Sequence, residues 1–342
     1  MRRPLPLAFL LLAGCGSPAE PAPASAGGEP VSSTSPSATS GPAAGYTAHE
    51  WGLVDYVLSS GSFELAAGPG RPGAALPDVP RPMQTRKPVI YFHLAQPESL
   101  RVDVTVRLGT GAFAEHWPPA SVSARELRWD AVELTPGPCR APLEAPARES
   151  PACRDAPDGY CELADLGAYR APEAVCARHD GRNVPFLFYR GTGERGRLPL
   201  VVAPHGDGVR VRNESLAGAR GPLLRLIRDG ESTRAWVGTL PGPSEAVDVP
   251  RASSVEAVPN ARAALSGALR GLGLEEGEAR AFERAWFAEL FENGASGGAP
   301  VVRDALIFFL PREAIDELAR LELSPPPRAV VRVMAMRVDL GG

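Results

Sequence analysis

Residues 100–108 read LRVDVTVRL, and the alternation is unbroken: Leu100, Val102, Val104, Val106 and Leu108 fall on one side, Arg101, Asp103, Thr105 and Arg107 on the other. A period of two places these sets on opposite faces of a strand and is incompatible with a helix. Short β-branched or aromatic runs recur at 88–95, 124–134, 184–190, 198–203, 208–213 and 329–338. Between 222 and 239, Asp229-Gly230 separates two apolar runs, a strong short-range hairpin signal. No regular alternation of strands with helices is present. The chain is therefore expected to be mainly β, a β-sandwich or distorted barrel of mostly antiparallel strands. The final run, AVVRVMAMRV, is apolar on both faces and calls for a central position in its sheet.

The period changes once. Over 260–292, Leu265, Leu269, Leu272, Phe282, Trp286, Phe287, Leu290 and Phe291 recur at helical spacing, and GLGL at 271–274 interrupts them. This pattern predicts an αα-hairpin inserted near the C-terminus, its aromatic stripe packed on the sheet. A strand (DALIFFLP) and a short helix at about 312–320 follow, which leaves α+β as the alternative class.

Ahead of this lies MRRPLPLAFLLLAGC: two arginines, an apolar run from Leu5 to Leu12, then small residues, the layout of a secretion signal over 1–14. Leu12-Ala13-Gly14-Cys15 resembles the lipobox of bacterial lipoproteins, which implies lipidation of Cys15 and anchoring to a membrane. Gly16 after the cysteine points to the outer membrane by analogy with lipoprotein sorting. Residues 16–45 are Pro, Ala, Ser and Gly with almost no large apolar side chain, so they cannot bury enough surface to offset ordering entropy. With Cys15 they form a tether over 15–45, reaching roughly 30 Å as a coil and about 90 Å if extended. One β-rich domain, 46–342, is expected beyond it.

Loss of Arg2 and Arg3 with the signal takes the net charge from −4 to −6, so no basic stripe is available and nucleic acid is excluded as a partner. Lys87 is the only lysine; the arginine count reflects a GC-rich coding bias and marks no site. Cys139, Cys153, Cys161 and Cys176 all lie in one Pro- and Ala-rich segment, 136–182, and read as two disulfides stapling a surface loop. Short loops close at least entropy, which favours Cys139 with Cys153 and Cys161 with Cys176. Their spacings lack the close pairs of a structural zinc site.

His49-Glu50-Trp51-Gly52, KPVIYFH (87–93), LEEGEARAFERAWF (274–287), LIFFLPRE (306–313) and PPPRAVVRVMAMRV (325–338) together resemble an uncharacterised family of exported bacterial proteins that begin with a HEWG tetrapeptide. The resemblance implies export and one continuous folded unit and assigns no catalytic residue. The NGASGGAP stretch after the second helix and the cysteine segment depart from it.

His49-Glu50 is not the H-E-x-x-H of zinc proteases, because position 53 is leucine and the segment alternates as a strand. His49, Trp51 and Leu53 share one face, Trp51 is expected in the core, and Glu50 points away. A metal site assembled across strands from His49, His93 and His116, completed by Glu115 or Glu50, is one alternative, with zinc as its metal. His205 and Asp207 flank a glycine turn in PHGDGVRVRN, and no G-x-S-x-G elbow is present. Two functions follow: a non-catalytic envelope lipoprotein, needing no cofactor, whose domain binds a protein or glycan partner, or a metal-assisted periplasmic or surface hydrolase.

Overall fold

The structure, a computed structural model, describes residues 44–57, 83–140, 142–143, 163–193, 200–214, 221–229, 232–251, 254–292 and 303–340. Cys15, residues 16–43 of the expected tether, Cys153, Cys161 and Gly230 lie outside the described residues, whereas Ala44 and Gly45, placed in the tether by composition, already belong to the first strand. The chain opens with β1 (Ala44–Val57), β2 (Met83–Leu94), β3 (Leu100–Leu108), β4 (Ala112–Trp117), β5 (Ser121–Ser123) and β6 (Glu126–Pro138). A 3-10 helix (Leu163–Tyr169) leads to β7 (Val175–His179), β8 (Arg182–Val184), β9 (Leu187–Gly193), β10 (Leu200–His205) and β11 (Gly208–Asn213). Next come β12 (Pro222–Asp229), β13 (Ser232–Thr239), β14 (Ala246–Val249), and the helices α1 (Val258–Gly271) and α2 (Glu276–Phe291). The chain ends with β15 (Asp304–Phe309), α3 (Arg312–Leu318), β16 (Ala319–Ser324) and β17 (Pro327–Asp339).

The fold is mainly β, with the expected αα-hairpin near the C-terminus. Its strands form three sheets: β13-β12-β15-β17-β1-β2-β9-β4, β16-β3-β6-β7-β8 with β5 beside β6, and β10-β11-β14. The sheets stay open, the largest ending at β13 and β4, so the barrel alternative does not hold. LRVDVTVRL is β3 and PLLRLIRD with STRAWVGT is the β12–β13 hairpin. Among the described strands one pairing is parallel, that of β1 with β17 at the centre of the large sheet. A parallel pair requires a long connection, and here nearly the whole domain supplies it.

Both faces of this central pair are covered. On one face Trp51, fully buried, lies 5.4 Å from the Phe282 ring of α2, 6.3 Å from Tyr91 and 6.0 Å from Tyr169, in a cluster that takes in Leu265, Leu269 and Trp286 of the hairpin. On the other, Val54, Met334 and Met336 join Phe308, Ile315 and the inward residues of β10, β11 and β14. Among the described residues no helix is long and apolar enough to cross a membrane.

The cysteine segment is built differently from the sequential pairing expected of it. Cys139 is bonded to Cys176, across 37 positions. β6 and β7 are antiparallel neighbours with Pro138 opposite Val175 and Thr135 opposite Cys176, so the ladder brings the two ends of the segment together. Sheet pairing settles the closure, and loop entropy, worth only about 0.6 kcal/mol per doubling of length, does not. The segment is also not wholly loop, since it contains the 3-10 helix and β7.

Candidate functional site

β1 and β2 are antiparallel, with His49 opposite Tyr91 and Thr47 opposite His93. His49 and His93 are therefore diagonal neighbours on one face, and their ring centroids lie 4.4 Å apart. The first turn of α2 descends on them. Glu278, which has no exposed surface, accepts a hydrogen bond from His49 Nδ1 at Oε2 (2.8 Å) and one from His93 Nε2 at Oε1 (2.9 Å). The three ligand atoms, from β1, β2 and α2, all lie within 4.8 Å of one another. His93 retains some contact with solvent, its side chain 18% exposed.

The local sequence explains why this turn lands there. Gly273, at φ +104°, ends α1, and the chain re-enters a helix through Glu275, whose N–H donates to Glu278 Oε2 at 2.9 Å. The N–H of Glu278 donates to Glu173 Oε1 at 3.0 Å, from the segment that follows the 3-10 helix. A Cβ at Gly277 would collide with the Glu173 carboxylate and with Pro172, so this close approach requires glycine. Burial alone would raise the Glu278 carboxyl; the hydrogen bonds from the two histidines outweigh it and hold the group at about 2. For His93, burial pulls the pKa down, but the bond to Glu278 prevails and raises it above its ordinary value.

Three of the expected metal ligands, His116, Glu115 and Glu50, are elsewhere. His116 sits on β4, separated from β2 by β9, and its neighbour Trp117 packs at 5.3 Å on Phe186, which in turn lies 6.0 Å from Tyr91. Trp117 thus faces the histidine pair's side and alternation turns His116 to the other; burial lowers its pKa there. Glu115 accepts from Arg190 Nε (2.7 Å) and Nη2 (2.6 Å) in a pair without exposed side-chain surface. Glu50 also points away from His49, as its position predicts. It accepts from the Tyr189 hydroxyl at 2.7 Å and from Arg332 Nε, while Arg332 Nη1 reaches Asp316 Oδ1 at 2.5 Å. Burial, then the Glu50 charge, raises the Tyr189 pKa. Five residues on, Arg337 grips Asp55 through Nε (2.7 Å) and Nη2 (2.8 Å) and donates to Glu289 at 2.9 Å. His205 is exposed at the end of β10, with Asp248 Oδ2 3.5 Å away, and Gly206 at φ +59° makes the PHGDG stretch a plain hairpin turn.

Glu278 and the buried arginines are what sequence reasoning misses. A carboxylate three residues after an N-cap Glu is a capping signal, and the helix was expected on the sheet, but nothing in the sequence aligns that turn with His49 and His93. Coding bias accounts for the number of arginines and hides their use: Arg190, Arg332 and Arg337 are each spent on a buried carboxylate.

A separate pocket of about 480 Å³ opens beside the β7–β8 turn, lined by Asp180, Arg182 and Asn183 over the nearly buried Trp117, with Pro142 and Val184.

No family model matches the sequence, and no curated protein does. Among solved structures, the Mu homology domain of Fcho1 from Danio rerio with bound Eps15 peptide is similar at 10% identity and a TM-score of 0.30, over 87% of this chain and 97% of that chain. A likeness of that degree carries no argument about fold or partner.

Proposed function

We propose that this chain is a cell-envelope lipoprotein, held at the outer membrane through Cys15, whose β-rich domain is a non-catalytic module that binds a glycan. The observation that carries the glycan is the pocket beside the β7–β8 turn. A carboxylate acceptor (Asp180) and an amide that both donates and accepts (Asn183) line it together with the apolar side chains of Trp117, Pro142 and Val184, the mixture of polar and apolar groups that a sugar requires. The lipobox and the Pro-, Ala-, Ser- and Gly-rich sequence after it support the location, because a domain carried on such a stretch reaches material around its anchor.

The test uses the full-length chain with Cys15→Ser and purified envelope polysaccharide. We expect saturable binding that weakens at least tenfold in the Asp180→Ala, Asn183→Ala double variant, and unchanged binding in that variant refutes the reading. Cys15→Ser should also move the protein out of the membrane fraction and abolish acyl labelling. The alternative, a metal-assisted hydrolase, is favoured by the meeting of His49, His93 and Glu278, and its first requirement is that this cluster hold a metal.

A further inference from the structure

We infer that His49, His93 and Glu278 form a site for one divalent transition-metal ion, zinc by the chemistry of the donors. This goes beyond glycan binding and is independent of it, because the cluster and the β7–β8 pocket share no residue.

Two imidazole nitrogens and one carboxylate oxygen are a zinc-type ligand set, whereas calcium and magnesium seek shells of oxygen. The atoms come from positions 185 and 229 residues from Glu278, yet the fold holds them in one place. Bonds of about 2.0–2.2 Å to a central ion put tetrahedral ligand atoms roughly 3.3–3.5 Å apart. From separations of 2.8 and 2.9 Å, and 4.8 Å at most, that arrangement needs shifts on the order of 1 Å. Rotation of the partly exposed His93 ring supplies such a movement without disturbing the strand.

The outer shell is also in place. The Glu275 N–H bonds Glu278 Oε2, and the Glu173 carboxylate holds the Glu278 N–H, so the ligand is oriented from two sides. Glu173 and Glu275 are exposed, and the charges of both reach His93, so an arriving cation meets anionic groups beside the cluster. The cluster contains no fourth protein ligand among the described residues. Three protein ligands leave a position for water or for a donor brought by another molecule, the pattern of open sites and not of closed structural ones.

The competing explanation is that Glu278 merely clamps α2 to the sheet by accepting two ring N–H groups. Metal displaces those protons, so the two explanations part in solution. The detergent-solubilised, disulfide-intact full chain is stripped with a chelator and titrated with Zn²⁺, and with Co²⁺ as a spectroscopic probe. We expect one equivalent bound, visible Co²⁺ bands of a four- or five-coordinate nitrogen and oxygen site, and a rise in melting temperature on adding Zn²⁺. His93→Ala, at the partly exposed position, should keep the fold and weaken binding on the order of 100-fold or more, as should Glu278→Gln where it folds. His116→Ala should bind as the parent does. No stoichiometric binding by the parent, metal that survives His93→Ala on the cysteines, or a melting temperature indifferent to Zn²⁺ would each overturn the site in favour of the clamp.

Discussion

His49 and Glu50 are adjacent in β1 and end in opposite chemical worlds. Glu50 enters a sealed pocket where one carboxylate meets one guanidinium and a phenol, and Arg332 lies opposite it in the β1–β17 register. His49 enters a rim where one carboxylate serves two imidazoles and solvent is within reach. In the first arrangement the carboxylates of Glu50 and Asp316 hold one guanidinium and every one of these contacts ties strand to strand or strand to helix, so its contribution is to structure and register. The second has more ligating atoms than a clamp needs, and it stands where something can enter. Burial of an ionisable group is thus a poor guide to function by itself; the ratio of donors to acceptors and the access of solvent separate the two sides.

The largest expected effects fall on the sealed side. Glu50→Ala strips the buried Arg332 guanidinium of its buried carboxylate and leaves it only the partly exposed Asp316, and should cost about 3–5 kcal/mol in urea unfolding. Trp51→Ala, which empties the centre of the hairpin face, should cost a similar ~3–5 kcal/mol. The comparison sharpens if both charges are removed: Glu50→Leu with Arg332→Met should recover most of the loss of Glu50→Ala, because a buried pair replaced by apolar groups is often near neutral. A double variant as unstable as the single one would mean that the pair does more than satisfy its own burial.

On the open side the effects are smaller. His49→Ala in chelator-treated protein removes one hydrogen bond to a charged group and should cost about 1.5–3 kcal/mol, with a larger difference once Zn²⁺ is present. Equal costs in both conditions would argue for the clamp. The smallest effect is the pH dependence of the metal-free protein. His93, raised above 6.5 when folded and facing the carboxylates of Glu278, Glu275 and Glu173, lends stability that is complete below 6.5 and is lost as pH rises through its folded value. Glu278, lowered from 4.5 to about 2, lends stability that is present above 4.5 and lost as pH falls towards 2. The melting temperature should therefore be highest between 4.5 and 6.5, and His93→Ala should flatten the alkaline side.

What the sequence discloses and what it withholds divide by range. LRVDVTVRL, the pairing of β12 with β13, the paired helices and the burial of Trp51 follow from spacing within a few residues, and all are found. The pairing of Cys139 with Cys176 depends on β6 lying against β7, which no local pattern states. The histidine pair was half legible. His49 and His93 lie on neighbouring strands, but whether His116 joins them depends on strand order and on the face of β4, and only the docking of α2 brings Glu278. Coding bias conceals the arginines in a different way, since Arg332 and Arg337 look like every other arginine until the register places them against Glu50 and Asp55.

That same register has a consequence for how the chain comes to be folded. Its centre joins residue 50 to residue 332, 282 positions apart, through the first and last strands described. Until β17 arrives, the middle of the large sheet is missing, and β1, β2 and the hairpin have no continuous layer to rest on. Closure over such a span makes for slow folding, so a growing chain remains threadable along most of its length. That delay suits the proposed export, in which a polypeptide has to cross a membrane before it hardens.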